Sequence, residues 1–401
     1  MTRMAFARSD LRRSLFAFLA LALVPAAAHA QALATRGLQK AGMPPKLAAR
    51  AARHVLLGLP SEASRTNDKD FLLVRNGYVL SYNADRNAMN WASWAVEKGD
   101  LGNVPRQRWR ADKSGEQVSV FRADPTLPQR FYKPDSGDYV VEPGYTRGHM
   151  VRSGERTASI RENRKTFMFT NMLPQSVNNN NGPWNTFENY YRDVVTNEGL
   201  VAHVIAGGIF GKAPVAARHV AVPSETWKIV AFLKPGQTEA DVDAKTRVVA
   251  IRMPNDNVNI QVEDKWENYR VPVADLETAT GLRFFSHLAP PVAQALKARA
   301  DSAPIVAPAP RALPVPNHGE KFATTLVAAQ QRGTVKFYAP EKGYGLITMA
   351  DGKELFFHRD DRLTSLRDGE AVELDIGARG DGRQVANRVR SLSPKAAAIT
   401  P

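Results

Sequence analysis

The chain has 401 residues, of which 43% are hydrophobic and 23% charged, an ordinary balance for globular protein and enough length for two or three domains. It contains no cysteine, which excludes disulfide scaffolds, cysteine nucleophiles and thiolate metal sites. Lys and Arg number 54 against 40 Asp and Glu, a formal net charge of +14 that attracts polyanions such as nucleic acid or anionic lipid. Charge alone does not distinguish nucleic acid from anionic lipid as the partner, so the assignment depends on the sequence motifs.

The N-terminus has the pattern of a signal peptide. Four arginines precede an apolar run at 15–28, and the small residues of Ala28-His29-Ala30 stand before Gln31. The run is too short to span a bilayer, and its flanks fit cleavage after Ala30. We therefore expect residues 1–30 to be removed and the mature protein to be periplasmic or secreted, without membrane contact after cleavage. The alternative is a buried N-terminal helix.

A proline-rich stretch separates a large domain from a small one. Between Ser302 and Asn317, five prolines alternate with Ala and Val, which is typical of an extended linker. Residues 31–300 hold 36 Lys and Arg against 27 Asp and Glu, whereas residues 332–390 hold 11 against 10, so the positive field belongs to the large domain. The predicted divisions are a large domain at 31–300, a linker at 301–330, a small domain at 331–391 and a flexible tail at 392–401.

The large domain carries both strand and helix signals. The stretch Pro183–Val195 has the proline start and the length of a helix. Together with the strands below, it predicts the mixed α+β class. Apolar runs bounded by turn residues predict strands at Phe71–Tyr82, Trp91–Val96, Val201–Phe210, Thr226–Leu233 and Thr246–Met253.

Three polar blocks follow one another in the large domain. Hydrolysis of a phosphodiester needs a base for water, a hard cation at the scissile phosphate, and positive groups for the charge that builds on its oxygens. A histidine among guanidiniums and amides supplies these chemical types. An amide oxygen is also an acceptable ligand for Mg²⁺, which keeps most of its waters. The blocks are Thr146-Arg147-Gly148-His149, Asn171-Met172-Leu173-Pro174-Gln175, and Asn178–Asn181 followed by Gly182-Pro183-Trp184.

These blocks, in this order and with Glu188 after the third, resemble the DNA/RNA non-specific endonucleases of the ββα-metal (His-Me finger) type, which include endonuclease G. The resemblance covers roughly residues 55–295, and Thr146-Arg147-Gly148-His149 stands where the family has Asp-Arg-Gly-His. It implies a central antiparallel sheet carrying a ββα-metal finger, and an endonuclease that hydrolyses DNA and RNA. It also implies Mg²⁺, or Mn²⁺ in its place, as the cofactor.

Site roles follow from the same resemblance. His149 looks like the general base, and Asn180 like the one direct protein ligand of the metal. Glu188 resembles the acidic residue that orients the waters around the ion. Arg192 stands four residues after Glu188 on the predicted helix, where it resembles an arginine that meets the phosphate in the transition state.

Further residues complete the predicted cationic clamp. Arg147 belongs to it, together with one of Arg106 and Arg108, which the sequence does not separate. Asn171 is expected to orient the finger or the histidine. The basic run after the motif is expected to be a solvated face that contacts phosphate by charge alone. That run consists of Arg152, Arg156, Arg161, Arg164 and Lys165.

Thr146 departs from the family pattern by removing a carboxylate beside the finger, so we expect activity to survive with altered metal affinity. For His149 taken alone, the competing interpretation is a satisfied core or surface histidine, and for the asparagine run it is a polar loop. Two competing functions stay open at this point. One is a secreted nucleic-acid-binding protein with a decayed nuclease site, and the other is a different metal-dependent phosphodiesterase.

The mechanism implied by the resemblance does not use a 2′-hydroxyl, so the expected substrates are DNA and RNA in single- and double-stranded form, cut to leave 5′-phosphate ends. Some relatives form dimers, so a homodimer is an open partner state. An inhibitor protein that guards the producing cell is an open partner as well.

The small domain resembles a cold-shock domain over residues 331–391. Its blocks Lys342-Gly343-Tyr344-Gly345-Leu346-Ile347 and Leu355-Phe356-Phe357-His358 match the paired ribonucleoprotein motifs in order and spacing. The resemblance implies a five-stranded OB-fold barrel that stacks single-stranded nucleic acid on exposed aromatic rings. Leu346 and Arg359 stand where aromatic residues are usual, so we expect weaker stacking. The residues expected to line the binding face are Lys336, Phe337, Tyr344, Phe356 and His358.

Overall fold

The structure is a computed structural model, and it describes residues 26–111, 117–139, 144–211, 216–305, 331–339, 344–358, 366–378 and 384–392. The chain divides into two compact units, residues 1–309 and 310–401. Among the helices of the described residues, none has both the length and the apolar character needed to cross a membrane. The predicted signal sequence up to residue 25, and residues 306–330 of the predicted linker, lie outside the described residues.

The first unit contains seven α-helices in the described residues, together with strands β1–β12. The helices are α1 (Ala26–Lys40), α2 (Pro45–Ala51), α3 (Ile160–Lys165), α4 (Val177–Asn181), α5 (Pro183–Asp193), α6 (Val273–Thr280) and α7 (Pro290–Lys297). The strands are β1 (Phe71–Val74), β2 (Val79–Asn83), β3 (Ala88–Val96), β4 (Trp109–Ala111), β5 (Gln117–Ser119), β6 (Tyr145–His149), β7 (Met172–Ser176), β8 (Val201–Ile209), β9 (Ala216–Ala217), β10 (Val220–Ala221), β11 (Glu225–Leu233) and β12 (Val248–Pro254).

A six-stranded sheet in the order β1-β2-β3-β8-β11-β12 forms the centre of this unit, and every neighbouring pair is antiparallel. This confirms the predicted central antiparallel sheet. The sequence predicted one strand at Phe71–Tyr82, but the structure has two strands joined by a turn at 75–78. Asn76-Gly77 lies in that turn, and such a pair favours a hairpin over a continuous strand.

The two faces of the sheet pack against different layers, because successive side chains of a strand point to opposite sides. On β11, Val230 and Phe232 join a core that includes Trp184, Phe187 and other residues on the side of α5. Trp227 and Ile229, at the alternate positions, join a second core formed with α1, α2, α6 and α7. Strands buried on both faces explain why these segments read as nearly continuous apolar runs.

The finger is a separate two-stranded sheet of β6 and β7, followed directly by α4. The strands pair antiparallel, with Tyr145 opposite Ser176 and His149 opposite Met172. Ser176 caps α4, since its hydroxyl accepts a hydrogen bond from the backbone N–H of Asn179. The predicted ββα arrangement is therefore present, and it brings the ends of the three polar blocks onto adjoining elements.

Helix α1 begins at Ala26 and runs across the predicted cleavage point after Ala30. Ala34 and Leu38, which follow that point, are buried in the second core. At the other end of the unit, the Asp301 carboxylate pairs with Arg247 and Arg270. The packed part of the first unit therefore continues slightly beyond residue 300.

The second unit contains the strands β13 (Gln331–Ala339), β14 (Tyr344–Met349), β15 (Glu354–His358), β16 (Ala371–Ala378) and β17 (Gln384–Ser391). Each strand pairs with two others, and the circuit closes through a single parallel pair between β15 and β17. Val335, Ile347, Leu355 and Phe357 point into its apolar interior. This is the small all-β barrel that the sequence predicts.

Candidate active site

His149 ends β6 and is 8% exposed. Its ring contacts Phe121 and Phe167 edge-on, at 5.8 and 5.0 Å between centroids. Burial, reinforced by the charges of Arg106, Arg152 and then Arg147, holds the pKa of His149 well below its ordinary value. Within the described residues, its Nε2 atom has no hydrogen-bond partner. The ring therefore favours its neutral form.

Two predicted clamp arginines lie against the same aromatic rings as His149. The Arg147 guanidinium sits 4.2 Å from the Phe121 centroid and donates to Ser136 Oγ at 2.6 Å. The Arg106 guanidinium sits 4.9 Å from the Phe167 centroid and donates to Ser153 Oγ at 3.2 Å. Phe121 and Phe167 therefore hold the imidazole and both cations in one cluster.

Arg106 and Arg108, which the sequence left unseparated, differ in this geometry. Arg106 is the first of the charges that depress the pKa of His149, whereas Arg108 is not among them. Arg192 is half-buried on α5, and its guanidinium lies 3.2 Å from where a Cβ on Gly154 would stand. The geometry favours Arg106 over Arg108 as the neighbour of His149.

Asn171 holds the backbone just beyond the histidine. Its Oδ1 accepts from Val151 N at 3.0 Å, and its Nδ2 donates to Val151 O and Thr166 O at 2.9 and 2.8 Å. The side chain is completely buried, so these bonds are shielded from water. Asn171 thus lies in the finger without touching His149 through its side chain, which agrees with a role in orienting the finger.

The asparagine run forms a helix, not the polar loop of the competing interpretation, and its members make different contacts. Asn178 Nδ2 donates to Ile260 O at 3.0 Å, and Asn179 Nδ2 donates to Thr226 Oγ1 and Pro254 O at 3.0 and 2.7 Å. These two residues fasten α4 to neighbouring elements. Asn180 has another partner.

Asn180 Nδ2 donates to Thr146 Oγ1 at 3.0 Å. An amide has a donor end and an acceptor end, so this bond fixes which end of Asn180 faces away from Thr146. The acceptor Oδ1 is the end that remains for a cation. Thr146, where the family has Asp, therefore keeps a hydrogen-bond acceptor for the predicted metal ligand.

Glu188 lies on α5 and is 5% exposed. Its Oε1 accepts from Lys228 Nζ at 2.7 Å, and its Oε2 lies 3.6 Å from Arg152 Nε. Arg152 also donates to Asn185 and Asn189 Oδ1 at 2.9 and 2.7 Å. Asn185, Glu188 and Asn189 share one face of the helix because they are three and four residues apart. Arg152 is thereby aligned along the helix beside the predicted metal residue.

A buried polar network continues behind Glu188. Lys228 is fully buried, with Nζ 4.2 Å from the Trp184 ring centroid. Glu155, also fully buried, accepts from Trp94 Nε1 at 2.6 Å and from the Tyr191 hydroxyl. Burial raises the pKa of Glu155, an effect that Lys228 opposes and Glu188 reinforces. Lys228 therefore balances two carboxyl groups that face the core side of the site.

Sequence reasoning missed Arg152 and Lys228 as parts of the site, and its expectation for the basic run is wrong at two positions. Arg152 lies along α5. Arg156 is 3% exposed, and its guanidinium donates hydrogen bonds to the carbonyls of Gly77 and Ala95. Lys228 had a usable signal. It shares a strand face with Val230 and Phe232, and a buried cation requires a carboxylate opposite it.

The donor set around α4 and α5 suits a hard cation. Asn180 offers an amide oxygen, and Glu188 a carboxylate whose Oε2 is not within hydrogen-bond distance of Lys228. Oxygen donors of this kind fit Mg²⁺ or Mn²⁺ and are poor partners for softer metals. Among the described residues, no group of three or more His, Asp or Glu side chains forms a metal cluster. An amide oxygen and a carboxylate oxygen fit an ion that keeps most of its waters.

In the barrel, the register places Phe337 opposite Leu346, and Leu346 opposite Phe356. The three side chains thus form a row across β13, β14 and β15, with both phenylalanines half-buried. Lys336 on β13 pairs with Glu354 on β15, across the intervening strand β14. The side chains of Tyr344 and His358, and all of Arg359, lie outside what the structure describes, although the backbones of Tyr344 and His358 pair.

The first unit therefore places a buried histidine among arginines and near oxygen atoms of the kind that a hard metal prefers, a set of groups suited to chemistry on a phosphate. Comparison with known proteins agrees with that class. Residues 59–290 match the DNA/RNA non-specific endonuclease family, and residues 331–392 match the 'Cold-shock' DNA-binding domain. The chain belongs to the DNA/RNA non-specific endonuclease family, which confirms the predicted family, enzyme class and second domain.

Named relatives are nucleases. A nuclease of Nostoc sp. (strain PCC 7120) is 36% identical over 254 residues, covering 62% of this chain and 86% of that protein. Human mitochondrial Endonuclease G is 27% identical over 226 residues, covering 53% of this chain and 69% of that protein. Human mitochondrial Nuclease EXOG is 28% identical over 224 residues, covering 53% and 56%. Endonuclease G-like nucleases are in general metal-dependent.

Proposed function

We propose that the chain is an exported, Mg²⁺-dependent, sugar-non-specific endonuclease in which His149 is the general base. The observation that carries this proposal is the state of His149: buried, neutral, with an unpartnered Nε2 and three arginines nearby. A solvated surface histidine has no reason to be surrounded by cations that disfavour its charged form. For a base that acts beside a phosphate, the arginines would bind the phosphate and would also keep the imidazole in the neutral form that takes the proton.

In the proposed reaction, a water oxygen attacks phosphorus in line while His149 takes the proton that the water loses. The bond from phosphorus to the 3′-oxygen breaks, which leaves a 5′-phosphate and a 3′-alkoxide. The alkoxide takes a proton from a solvent water to become the 3′-hydroxyl, and His149 returns its proton to solvent. Arg106 and Arg147 face the charge that grows on the nonbridging oxygens, and Arg152 and Arg192 extend the positive field along α5. Such fixed charges stabilise the transition state because they are already oriented.

Asn180 and Glu188 are the residues that would hold the metal, Asn180 directly through Oδ1 and Glu188 through the surrounding waters. When bound, the ion supplies positive charge to the scissile phosphate and the leaving oxygen. Thr146 and Lys228 act through these two side chains, by fixing the amide of Asn180 and one oxygen of Glu188. Mn²⁺ would fit the same oxygens in place of Mg²⁺.

None of these steps uses the 2′-hydroxyl, so DNA and RNA are both proposed substrates. The test is incubation of the purified protein with plasmid DNA and with RNA, each with and without EDTA, followed by analysis of the new ends. We expect cleavage of both with 5′-phosphate ends, and no cleavage in EDTA. Binding without cleavage would support a decayed site, while full activity in EDTA would contradict the metal-dependent mechanism.

We also propose that the barrel binds single-stranded nucleic acid. Its support is the row of Phe337, Leu346 and Phe356 on three adjacent strands, since successive bases stack on aromatic rings presented in this way. The test is fluorescence anisotropy of short labelled single strands with the full chain in EDTA. Equal affinity of a variant that lacks both phenylalanines would contradict the proposal.

Export is proposed from the N-terminal sequence pattern. The mature chain is expected to begin near Gln31, which keeps Ala34 and Leu38 in place in the second core. A nuclease of broad specificity that folded inside the producing cell would damage its own nucleic acids. N-terminal sequencing of protein from the periplasm and the medium tests the proposal, and intact Met1 on cytoplasmic protein would overturn it.

A further inference from the structure

A hairpin tip with a strained backbone lies near Arg147, one of the arginines around His149. β9 and β10 pair with Ala217 opposite Val220, so Arg218 and His219 form the two-residue turn between them. Arg218 has φ +54°, in the left-handed region that favours glycine. Arginine is an uncommon choice there, because a residue with a Cβ is strained in that conformation. Such strain is retained where neighbouring contacts hold it, and it directs attention to function.

The contacts that hold the tip come from His219. Its Nδ1 lies 3.0 Å from Asp138 Oδ1, and its ring packs 4.6 Å from that of Tyr132. Its backbone carbonyl accepts from Asn87 Nδ2 at 2.8 Å. Asp138 is 1% exposed, and its Oδ2 accepts from the Tyr132 hydroxyl and from Asp135 N, both at 2.9 Å. His219 is thus locked on both its side chain and its backbone.

The contacts of His219 attach the hairpin tip to the same short 3-10 helix that Arg147 contacts. Ser136–Asp138 forms a single 3-10 turn. Arg147 donates to Ser136 at one end, His219 Nδ1 lies beside the Asp138 carboxylate at the other, and the Arg218 guanidinium lies against Gly137 between them. Three residues of 3-10 helix rise only about 6 Å. Arg147 and Arg218 therefore contact adjacent residues of one turn, Ser136 and Gly137, which brings their side chains near one another.

Arg218 is exposed and, within the described residues, has no carboxylate at ion-pair distance. Other exposed arginines of this unit, such as Arg130 and Arg161, are paired with acidic neighbours. The nearby Asp138 carboxylate is occupied by His219, Tyr132 and Asp135 N, and the exposed Asp135 uses one oxygen to cap Gly137 N. Arg218 is therefore an exposed positive charge on a strained turn that the contacts of His219 hold in place.

We propose that Arg218 binds a backbone phosphate that flanks the scissile one, and that His219 is the positioning residue that keeps the hairpin tip in place for it. The inference rests on the proposed endonuclease function and extends its substrate contact beyond the arginines around His149. The contact reads charge only, so it applies to DNA and RNA alike.

The test compares full-length variants, measuring oligonucleotide affinity in EDTA over a range of salt and kcat and KM in Mg²⁺. Arg218→Gly removes the charge and suits the positive φ, so we expect an unchanged or higher Tm together with several-fold weaker binding and an unchanged kcat. The slope of log K against log salt should become shallower by about 0.9, the contribution of one phosphate. Arg218→Lys should retain most of the affinity.

Two further variants separate the parts of the proposal. Arg50→Ala removes an exposed arginine from α2, on the opposite side of the sheet, and should leave the salt slope unchanged. His219→Gln should raise KM in the parent chain but add nothing in the Arg218→Gly background, because its effect passes through Arg218. An unchanged slope for Arg218→Gly would overturn the phosphate contact, and additive effects of His219→Gln would overturn the positioning role. Failure of the parent chain to cleave would contradict the proposed function, whereas the slopes measured in EDTA would still decide on Arg218.

Discussion

The finger and the barrel handle nucleic acid with side chains in opposite environments. In and beside the finger, His149, Asn171 and Glu188 are buried; two aromatic rings pack against His149, and hydrogen bonds hold Asn171 and Glu188. In the barrel, Phe337 and Phe356 lie half-buried on a strand surface, where the register of neighbouring strands sets their spacing. Chemistry on a phosphate needs groups whose protonation and orientation are fixed, whereas holding a single strand needs only accessible rings.

This difference predicts the size of mutational effects. Removing a buried, oriented group of the finger should affect the transition state, and its neighbours should be unable to replace it. Removing one ring of the barrel should cost only the stacking of one base. The finger should therefore respond sharply to substitution and to pH, and the barrel in small steps.

The largest effect is expected for His149→Ala. The variant should lose about 10²–10⁴-fold in kcat, because no other described group near Phe121 and Phe167 can accept the proton. Affinity for DNA in EDTA should stay close to that of the parent, since the arginines make the phosphate contacts. Single-turnover cleavage and anisotropy measure the two quantities separately. Near-normal turnover would contradict the assignment of His149 as the general base.

The next largest difference between the two units is expected in how their stability responds to acid. Burial, with smaller contributions from Arg53 and other charges, holds the pKa of His54 well below its ordinary value, and burial with the Arg53 charge lowers that of His203 to about 4. With His149, the native first unit keeps three histidines neutral. Below the unfolded pKa of about 6.5, the unfolded chain binds protons that the native state does not, so stability falls as pH falls toward the native pKa values.

Between pH 7 and 5.5 the loss should total about 4 kcal/mol for the three groups. All six tryptophans lie between residues 91 and 266, so their fluorescence reports unfolding of the first unit alone. Urea midpoints at the two pH values measure the change. A midpoint independent of pH would show that these histidines are not held neutral in the native state.

The sequence predicts the parts of the site that its motifs contain, and misses the partners that lie outside them. The family resemblance of the polar blocks predicted the finger around His149 and Asn180, because those blocks form its two strands and its helix. It missed the partners of Glu188, which are Arg152 and Lys228, 36 and 40 residues away along the chain. Only the packing of α5 against β11 and the segment after β6 brings them together.

In the barrel, the same reasoning predicted more of the surface, because alternation along each strand assigns its faces directly. Phe357 points inward and Phe356 outward, as the pattern in β15 requires. What alternation did not give was the register that puts Leu346 between Phe337 and Phe356. Register depends on pairing between strands, so it is a property of the fold and not of one segment.

Thr146→Val tests the finger's dependence on orientation at constant shape. Valine removes the hydroxyl that accepts from Asn180 Nδ2, so the amide is free to turn and the Mg²⁺ concentration for half-maximal rate should rise about 10–100-fold. Thr146→Ser keeps the acceptor and should behave like the parent. Metal binding followed with Mn²⁺ by electron paramagnetic resonance gives a readout that does not depend on turnover. Equal metal affinity of the Val and Ser variants would remove Thr146 from the metal site.

The smallest effects are expected in the barrel. Phe356→Ala should weaken binding of a short single strand by about 1 kcal/mol, roughly fivefold, because one stacking platform is lost. Leu346→Phe should act in the opposite direction, since it places a third ring in the row between Phe337 and Phe356. Thr334→Ala, at an exposed position on β13, is the matched control and should change nothing.

Because residues 332–390 carry a net charge of only +1, the differences in single-strand binding should vary little with salt. Duplex binding by the first unit, with +9 over residues 31–300, should instead weaken steeply as salt rises. Anisotropy with single-stranded and duplex oligonucleotides at two salt concentrations measures both. If Leu346→Phe fails to tighten single-strand binding while Phe356→Ala weakens it, the row does not act as one continuous stacking surface, and the comparison between the two regions would then rest on the finger alone.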